Sequence, residues 1–201
     1  LTTDLKGQTA EVGAFKGAMS LLICDSNSKC KEKKHHYIFD SFEGLSPPSE
    51  LDGNFWTNND MKSSESTLDE NLKEFKDSYT SFPGWIPKTF KNIEDENFSF
   101  VHIDVDLYSS SFQVLNFIKP LLCEGTLILF DDWYCYPVSK RMGEAKAFDE
   151  FLDENPSIKV EEWKNYSTFG KSFFITKIAK NKLLFIFNYR IRFLFLITPS
   201  P

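Results

Sequence analysis

The sequence predicts an α/β fold, a doubly wound and mostly parallel sheet that ends in an antiparallel strand pair. Three observations predict it. Apolar runs alternate with helical patterns along the chain, as parallel strands joined by crossover helices require. The run TLILF, residues 126–130, is apolar without a break, as in a strand buried on both faces. Acidic residues stand directly after two such runs, in HIDVD and DD, where open α/β sheets place their ligands.

The elements follow in order. Residues 9–15 (TAEVGAF) read as a strand that ends at a glycine, and 16–24 (KGAMSLLIC) as a helix opened by Gly17. Residues 35–42 (HHYIFDSF) make a second strand, and 45–63, rich in Pro, Ser, Asn and Asp, an ordered loop over the site with Phe55 and Trp56. Leu68, Leu72 and Phe75 recur at helical spacing within 65–77. Residues 78–82 form a third strand ended by Pro83-Gly84, with room for a further helix before the clearest strand, FSFVHIDV at 98–105. Residues 110–122 make a helix with Phe112, Leu115 and Ile118 on one side and Pro120 near its end. Glu124-Gly125 turn into the strand 126–130, and 142–154 form an amphipathic helix closed by Asn155-Pro156. Residues 158–163 and 171–178 are the final antiparallel pair. No repeat or linker interrupts this order, so residues 1–180 read as one domain.

The tail departs from the pattern. Residues 182–198 are apolar but broken by Asn188, Arg190 and Arg192, short of the roughly 20 apolar residues that a membrane span needs. An interfacial helix, a homo-oligomer contact or translation past the natural end are the readings kept, and 181–201 receive no role.

Composition excludes several classes. The chain is 41% hydrophobic and 26% charged, ordinary globular proportions. A net charge of -6 argues against nucleic acid as a partner. Arg141, Arg190 and Arg192 are the only arginines, so bidentate phosphate clamps are scarce. Cys24, Cys30, Cys123 and Cys135 form no CxxC pair, which speaks against structural zinc or a disulfide scaffold and for a reducing cytoplasm. LTTDLKGQTA has neither the basic nor the apolar region of a signal peptide, and without an initiator Met it reads as a fragment or processed product.

Three constellations carry chemistry. In Glu11-x-Gly13-x-x-x-Gly17, a strand-to-helix turn lets backbone approach a ligand at a helix N-terminus. It lacks the tight diphosphate turn of GxGxxG, and its acid favours a cationic or hydroxylated ligand. Asp40, 27 residues after Gly13, stands where a carboxylate accepts both ribose hydroxyls. Asp104 and Asp106 at one strand end and Asp131 and Asp132 at the next bring carboxylates together without a basic partner. A divalent cation relieves their repulsion, and all-oxygen ligation suits Mg²⁺.

VGAFKG, FDSFEGL, HIDVDLYSS and Asp131-Asp132 followed by Trp133 resemble the macrocin O-methyltransferase family over about residues 8–178. The resemblance implies a Rossmann-like fold and a Mg²⁺-dependent transfer of a methyl group from S-adenosylmethionine to a hydroxyl of a small molecule, often a natural-product sugar. It implies that Glu11, Gly13 and Gly17 line the methionine end of the cofactor, that Asp40 and Ser41 hold the ribose, and that Gly84 and Trp85 lie near adenine. Asp104, Asp131 and Asp132 would ligate Mg²⁺. Asp104 could also act as base, with His102, Asp106 and Tyr108 as the other choices. The family has a longer helical segment before its first strand, so the domain reads as N-terminally truncated. A nicotinamide-dependent oxidoreductase and a truncated, non-catalytic methyltransferase-like domain are the alternatives.

Overall fold

The computed structural model describes residues 5–179 except 87, 90–92, 94–96 and 137–140. Seven strands and four helices occur in these residues: β1 (Gln8–Val12), α1 (Ala18–Ser28), β2 (His36–Asp40), α2 (Glu65–Asn71), β3 (Tyr79–Pro83), β4 (Phe98–Ile103), α3 (Tyr108–Ile118), β5 (Leu122–Phe130), α4 (Gly143–Glu154), β6 (Ile158–Asn165) and β7 (Lys171–Ile178). The strands form one sheet in the order β3-β2-β1-β4-β5-β7-β6. The first five run parallel, and β7 runs antiparallel to both β5 and β6. The strand order reverses between β1 and β4, which opens a crevice at their C-terminal ends.

Period-two alternation divides β1 and its neighbours between two faces. Ala10, Val12, Phe39, Val101 and Ile103 join Val114, Leu115 and Ile118 of α3 and Phe148 and Phe151 of α4 in the main apolar core. A smaller cluster sets Ile38 against Leu68 and Leu72 at α2. The alternate residues are polar yet buried: Thr9, Glu11, His36 and His102, met by Ser20 and Asn27 of α1. Phe130, Trp133, Phe148 and Phe173 pack with ring centroids 4.8–6.1 Å apart and seat the turn after β5 on the core.

Several boundaries differ from expectation, among them the end of α2, which stops at Asn71 rather than at 77, and four that the backbone explains. β1 stops at Val12 because Gly13 takes a φ of 87°. β4 stops at Ile103 rather than at 105, so Asp104 and Asp106 lie in the turn beyond the strand. Glu124-Gly125 are not a turn but part of β5, where the register to β4 jumps from Phe98↔Leu122 to Phe100↔Leu127 and Gly125 has a φ of 93°. α3 gives way to a tighter turn at Lys119–Leu121, because Pro120 has no N–H for the α-helical ladder. The tail and most of the segment between β3 and β4, where a further helix was expected, lie outside the described residues. Among the described residues, no helix is long and apolar enough to cross a membrane.

Candidate active site

The chain beyond β1 is shaped by one close approach. A Cβ on Gly13 would sit 1.7 Å from the carbonyl oxygen of Asp104, so only glycine lets the first strand end beside the fourth. The next bend is held by Asp40. Its Oδ2 accepts from the N–H groups of Ala14 and Phe15, both at 2.8 Å, and its Oδ1 from that of Phe42 at 2.6 Å. Phe15 and Phe42 have φ values of 50° and 56°, a left-handed backbone that costs a non-glycine residue about 1–2 kcal/mol. The Asp40 carboxylate thus offsets strain on both sides of the crevice. Burial pushes its carboxyl up, against the pull of the three amides.

These turns frame a cleft of about 340 Å³. Gly13, Asp40, Ser41, Gly84 and Trp85 line it, and Asp104 and Asp106 stand on its wall. A partly apolar crevice with a few polar groups suits a small ligand.

The acid rim lies beside it. Carboxylate oxygens of Asp104, Asp106 and Asp132 come within 4.8 Å of one another. Asp106 reaches this set from a left-handed backbone (φ 59°), in a turn closed by a 2.5 Å contact between the Leu107 nitrogen and the Val105 oxygen. Burial first, then the charges of Asp131 and Asp132, pushes Asp104 up to about 8. Burial and the carboxyl of Asp132 push Asp106 up to about 11. Glu144, fully buried at the start of α4, accepts from the Asp132 N–H at 3.0 Å and the Val105 N–H at 3.5 Å, bridging the two acidic turns. Burial and the charges of Asp132 and Asp104 raise it well above the usual carboxylate range. Cys135 donates its thiol to Asp132 Oδ1 at 2.6 Å. Three clustered carboxylates with no cationic side chain among them are oxygen donors of the kind that could hold a hard divalent cation.

A second polar layer lies beneath. Glu11 Oε1 stands 3.2 Å from His102 Nδ1, its Oε2 accepts from Ser20 and lies 3.7 Å from His36 Nε2, and Glu11 and His102 are each 1% exposed. Burial alone would raise the Glu11 carboxyl, but the hydrogen bonds and charges of His102 and His36 bring it down to about 2. His102 is held above its ordinary value because Glu11 outweighs burial.

The expected residues therefore separate. Gly13, Asp40, Ser41, Gly84, Trp85 and Asp104 line the cleft. Glu11 does not, because its side chain is buried between His102 and His36 of the neighbouring strands. Gly17 does not either, since its Cβ position faces Leu68 Cδ1 at 2.6 Å and the residue serves helix packing. His102 is buried against Glu11. Tyr108 turns its hydroxyl to Glu150 on α4, which drives its pKa up to about 12. Asp131 is replaced by Asp106 in the clustered acids and accepts instead from the Tyr166 hydroxyl at 2.9 Å.

Asp52, Glu144 and Tyr166 were not anticipated. Asp52 carried a local signal, since Ser49-x-x-Asp52 has capping-box spacing and forms one. Glu144 and Tyr166 reach the rim only through tertiary contacts.

A parallel sheet with a reversed final strand, a glycine turn, a strand-end carboxylate and an acid rim at its switch point define a Rossmann-like methyltransferase. Over residues 1–160 the sequence matches the macrocin O-methyltransferase (TylF) family. The chain belongs to this family and is an O-methyltransferase. Solved structures share the fold. The O-methyltransferase NovP is 19% identical with a TM-score of 0.68 over 85% of this chain and 72% of its own. CalS11, titled a TDP-rhamnose 3′-O-methyltransferase of calicheamicin biosynthesis, is 17% identical with a TM-score of 0.60 over 86% and 74%. The SAH-bound methyltransferase PaMTH1 of Podospora anserina is 16% identical with a TM-score of 0.56 over 88% and 74%. No curated protein matches the chain.

Proposed function

We propose that this O-methyltransferase takes its methyl group from S-adenosylmethionine and passes it to a hydroxyl of a small molecule, a sugar or related natural product, beside a divalent cation. One observation carries the reading: the cleft lined by Gly13, Asp40 and Ser41 runs directly into Asp104 and Asp106 of the acid rim. A donor in the cleft and an acceptor at the rim would meet end to end, as in-line displacement requires.

Asp40 and Ser41 face the ribose of the donor, Gly13 admits its methionine end, and Trp85, 38% exposed, offers a face to adenine. Asp104, Asp106 and Asp132 hold the cation, with Mg²⁺ the choice for three carboxylates and remaining oxygen ligands. When bound, such an ion lowers the pKa of a hydroxyl and orients its oxygen. Proton removal falls to Asp104 or Asp106, the two carboxyls on the cleft wall. Leu45 and Met61 of the covering loop close the donor side.

Calorimetric titration tests this. S-adenosylhomocysteine should bind the wild type and bind Asp40→Ala at least roughly tenfold more weakly, because charge-assisted hydrogen bonds are lost. Replacing Asp106 and Asp132 by Asn together should abolish Mg²⁺ binding and leave S-adenosylhomocysteine binding nearly unchanged. Binding of NAD in place of S-adenosylhomocysteine would overturn the donor, and turnover indifferent to EDTA would overturn the cation.

A further inference from the structure

Just beyond β4 and β5, the amides of Asp104 and Asp131 still bond to neighbouring strands, Asp104 to the Val12 oxygen at 2.9 Å and Asp131 to the Ile103 oxygen at 3.1 Å. The next amide of each chain, that of Val105 and that of Asp132, donates to one side chain from a third element. Glu144 of α4 accepts from Asp132 at 3.0 Å and from Val105 at 3.5 Å, one with each carboxyl oxygen. α4 can begin there because residue 143 is glycine: its φ is 52°, and a Cβ would stand 2.2 Å from the Tyr136 ring. The Tyr136 hydroxyl in turn reaches the Asp106 carbonyl oxygen at 3.4 Å, a second tie between the two turns.

These ties work against a specific repulsion. Asp104 and Asp106 stand on the first turn and Asp132 on the second, and their oxygens lie within 4.8 Å of one another. Like charges at that range push the turns apart. Glu144 is fully buried, an unfavourable place for a carboxyl, yet it stands outside the clustered three and both its oxygens face backbone N–H groups. An apolar residue in its place would leave two amides without that acceptor.

We propose that Glu144 is a positioning residue of the acid set: by taking one N–H from each turn it fixes the spacing of Asp104 and Asp106 against Asp132, and the affinity of the set for a divalent cation depends on it. This rests on the cation reading above. Groups that hold metal ligands in place set affinity in this way.

The experiment uses Glu144→Gln, which keeps the shape and leaves one accepting oxygen, since an amide NH₂ cannot accept from a backbone N–H. Phe151→Leu, a core change on the same helix, is the control for general loosening of α4. Binding of Mn²⁺ is followed by electron paramagnetic resonance. The wild type should bind one ion, Glu144→Gln should raise Kd roughly ten- to a hundredfold, and Phe151→Leu should stay within about twofold. Wild type that binds no Mn²⁺ removes the cation reading and this proposal together. Wild type that binds while Glu144→Gln binds equally well keeps the cation and overturns the role of Glu144, as does an equal loss in Phe151→Leu. Complete loss in Glu144→Gln, matching the joint replacement of Asp106 and Asp132, would make Glu144 a ligand and overturn positioning. Should Glu144→Gln not fold, NMR of the wild type decides. A nitrogen–carbon coupling across the hydrogen bond from the Asp132 N–H to the Glu144 carboxyl should be present without metal and persist when Mg²⁺ is added, and its absence in either state overturns the proposal.

Discussion

Oδ1 of Asp52 lies 2.5 Å from the backbone nitrogen of Tyr108, so a fully buried loop carboxylate caps the first turn of α3 just after the acid rim. Its Oδ2 accepts from Ser49 N–H at 2.7 Å and Ser49 Oγ at 2.6 Å. The loop that covers the cleft is thereby fastened to the helix that follows Asp106, with negative charge at a helix N-terminus where it is favoured. Asp52→Ala should lower the unfolding free energy by about 1–3 kcal/mol, the cost of buried donors left without an acceptor. Urea unfolding measures it, and a variant within about 0.5 kcal/mol of wild type would show that the cap does not hold the loop.

The two glycines of the first turn should respond unequally. Gly13→Ala drives a Cβ into backbone, 1.7 Å from the Asp104 oxygen, which cannot move without dismantling the β1–β4 junction. Gly17→Ala meets the end of the Leu68 side chain at 2.6 Å, and that can turn aside. We expect about 1–2 kcal/mol for the second, the price of a left-handed alanine, and loss of the fold or more than about 4 kcal/mol for the first. Thermal denaturation of both proteins, with equal losses, would contradict this assignment.

Stability should carry the mark of the Glu11–His102 pair. Glu11 is depressed from 4.5 to about 2, so its contribution is complete above 4.5 and is lost as pH falls toward 2. His102 is raised above 6.5, so its contribution is complete below 6.5 and fades as pH rises through the raised value. The pair is worth most between 4.5 and 6.5. The stability difference between wild type and His102→Gln, followed by urea unfolding against pH, should peak in that window. A difference that grows steadily above neutral pH would mean that His102 is neutral in the folded protein.

Local pattern determined the fold. Apolar alternation, helical spacing at Leu68-Leu72-Phe75 and breakers such as Asn155-Pro156 placed the described strands and helices in their order, with α2 ending at Asn71 rather than at 77, because these signals act over a handful of neighbours. The acids at two strand ends were legible for the same reason: parallel neighbours must end at one rim. Which acid turns where was decided by tertiary contacts. Asp106 joins Asp132 because the chain leaves β4 at Ile103 and takes a left-handed step, and Asp131 turns away because Tyr166 arrives from a hairpin 35 residues later. Glu11 was read as a ligand's partner, and it lies buried between His102 and His36 of the neighbouring strands, outside the lining of the cleft. A carboxylate's role is set by the charges and donors packed around it, and those come from distant parts of the chain that only the assembled sheet brings within a few ångströms.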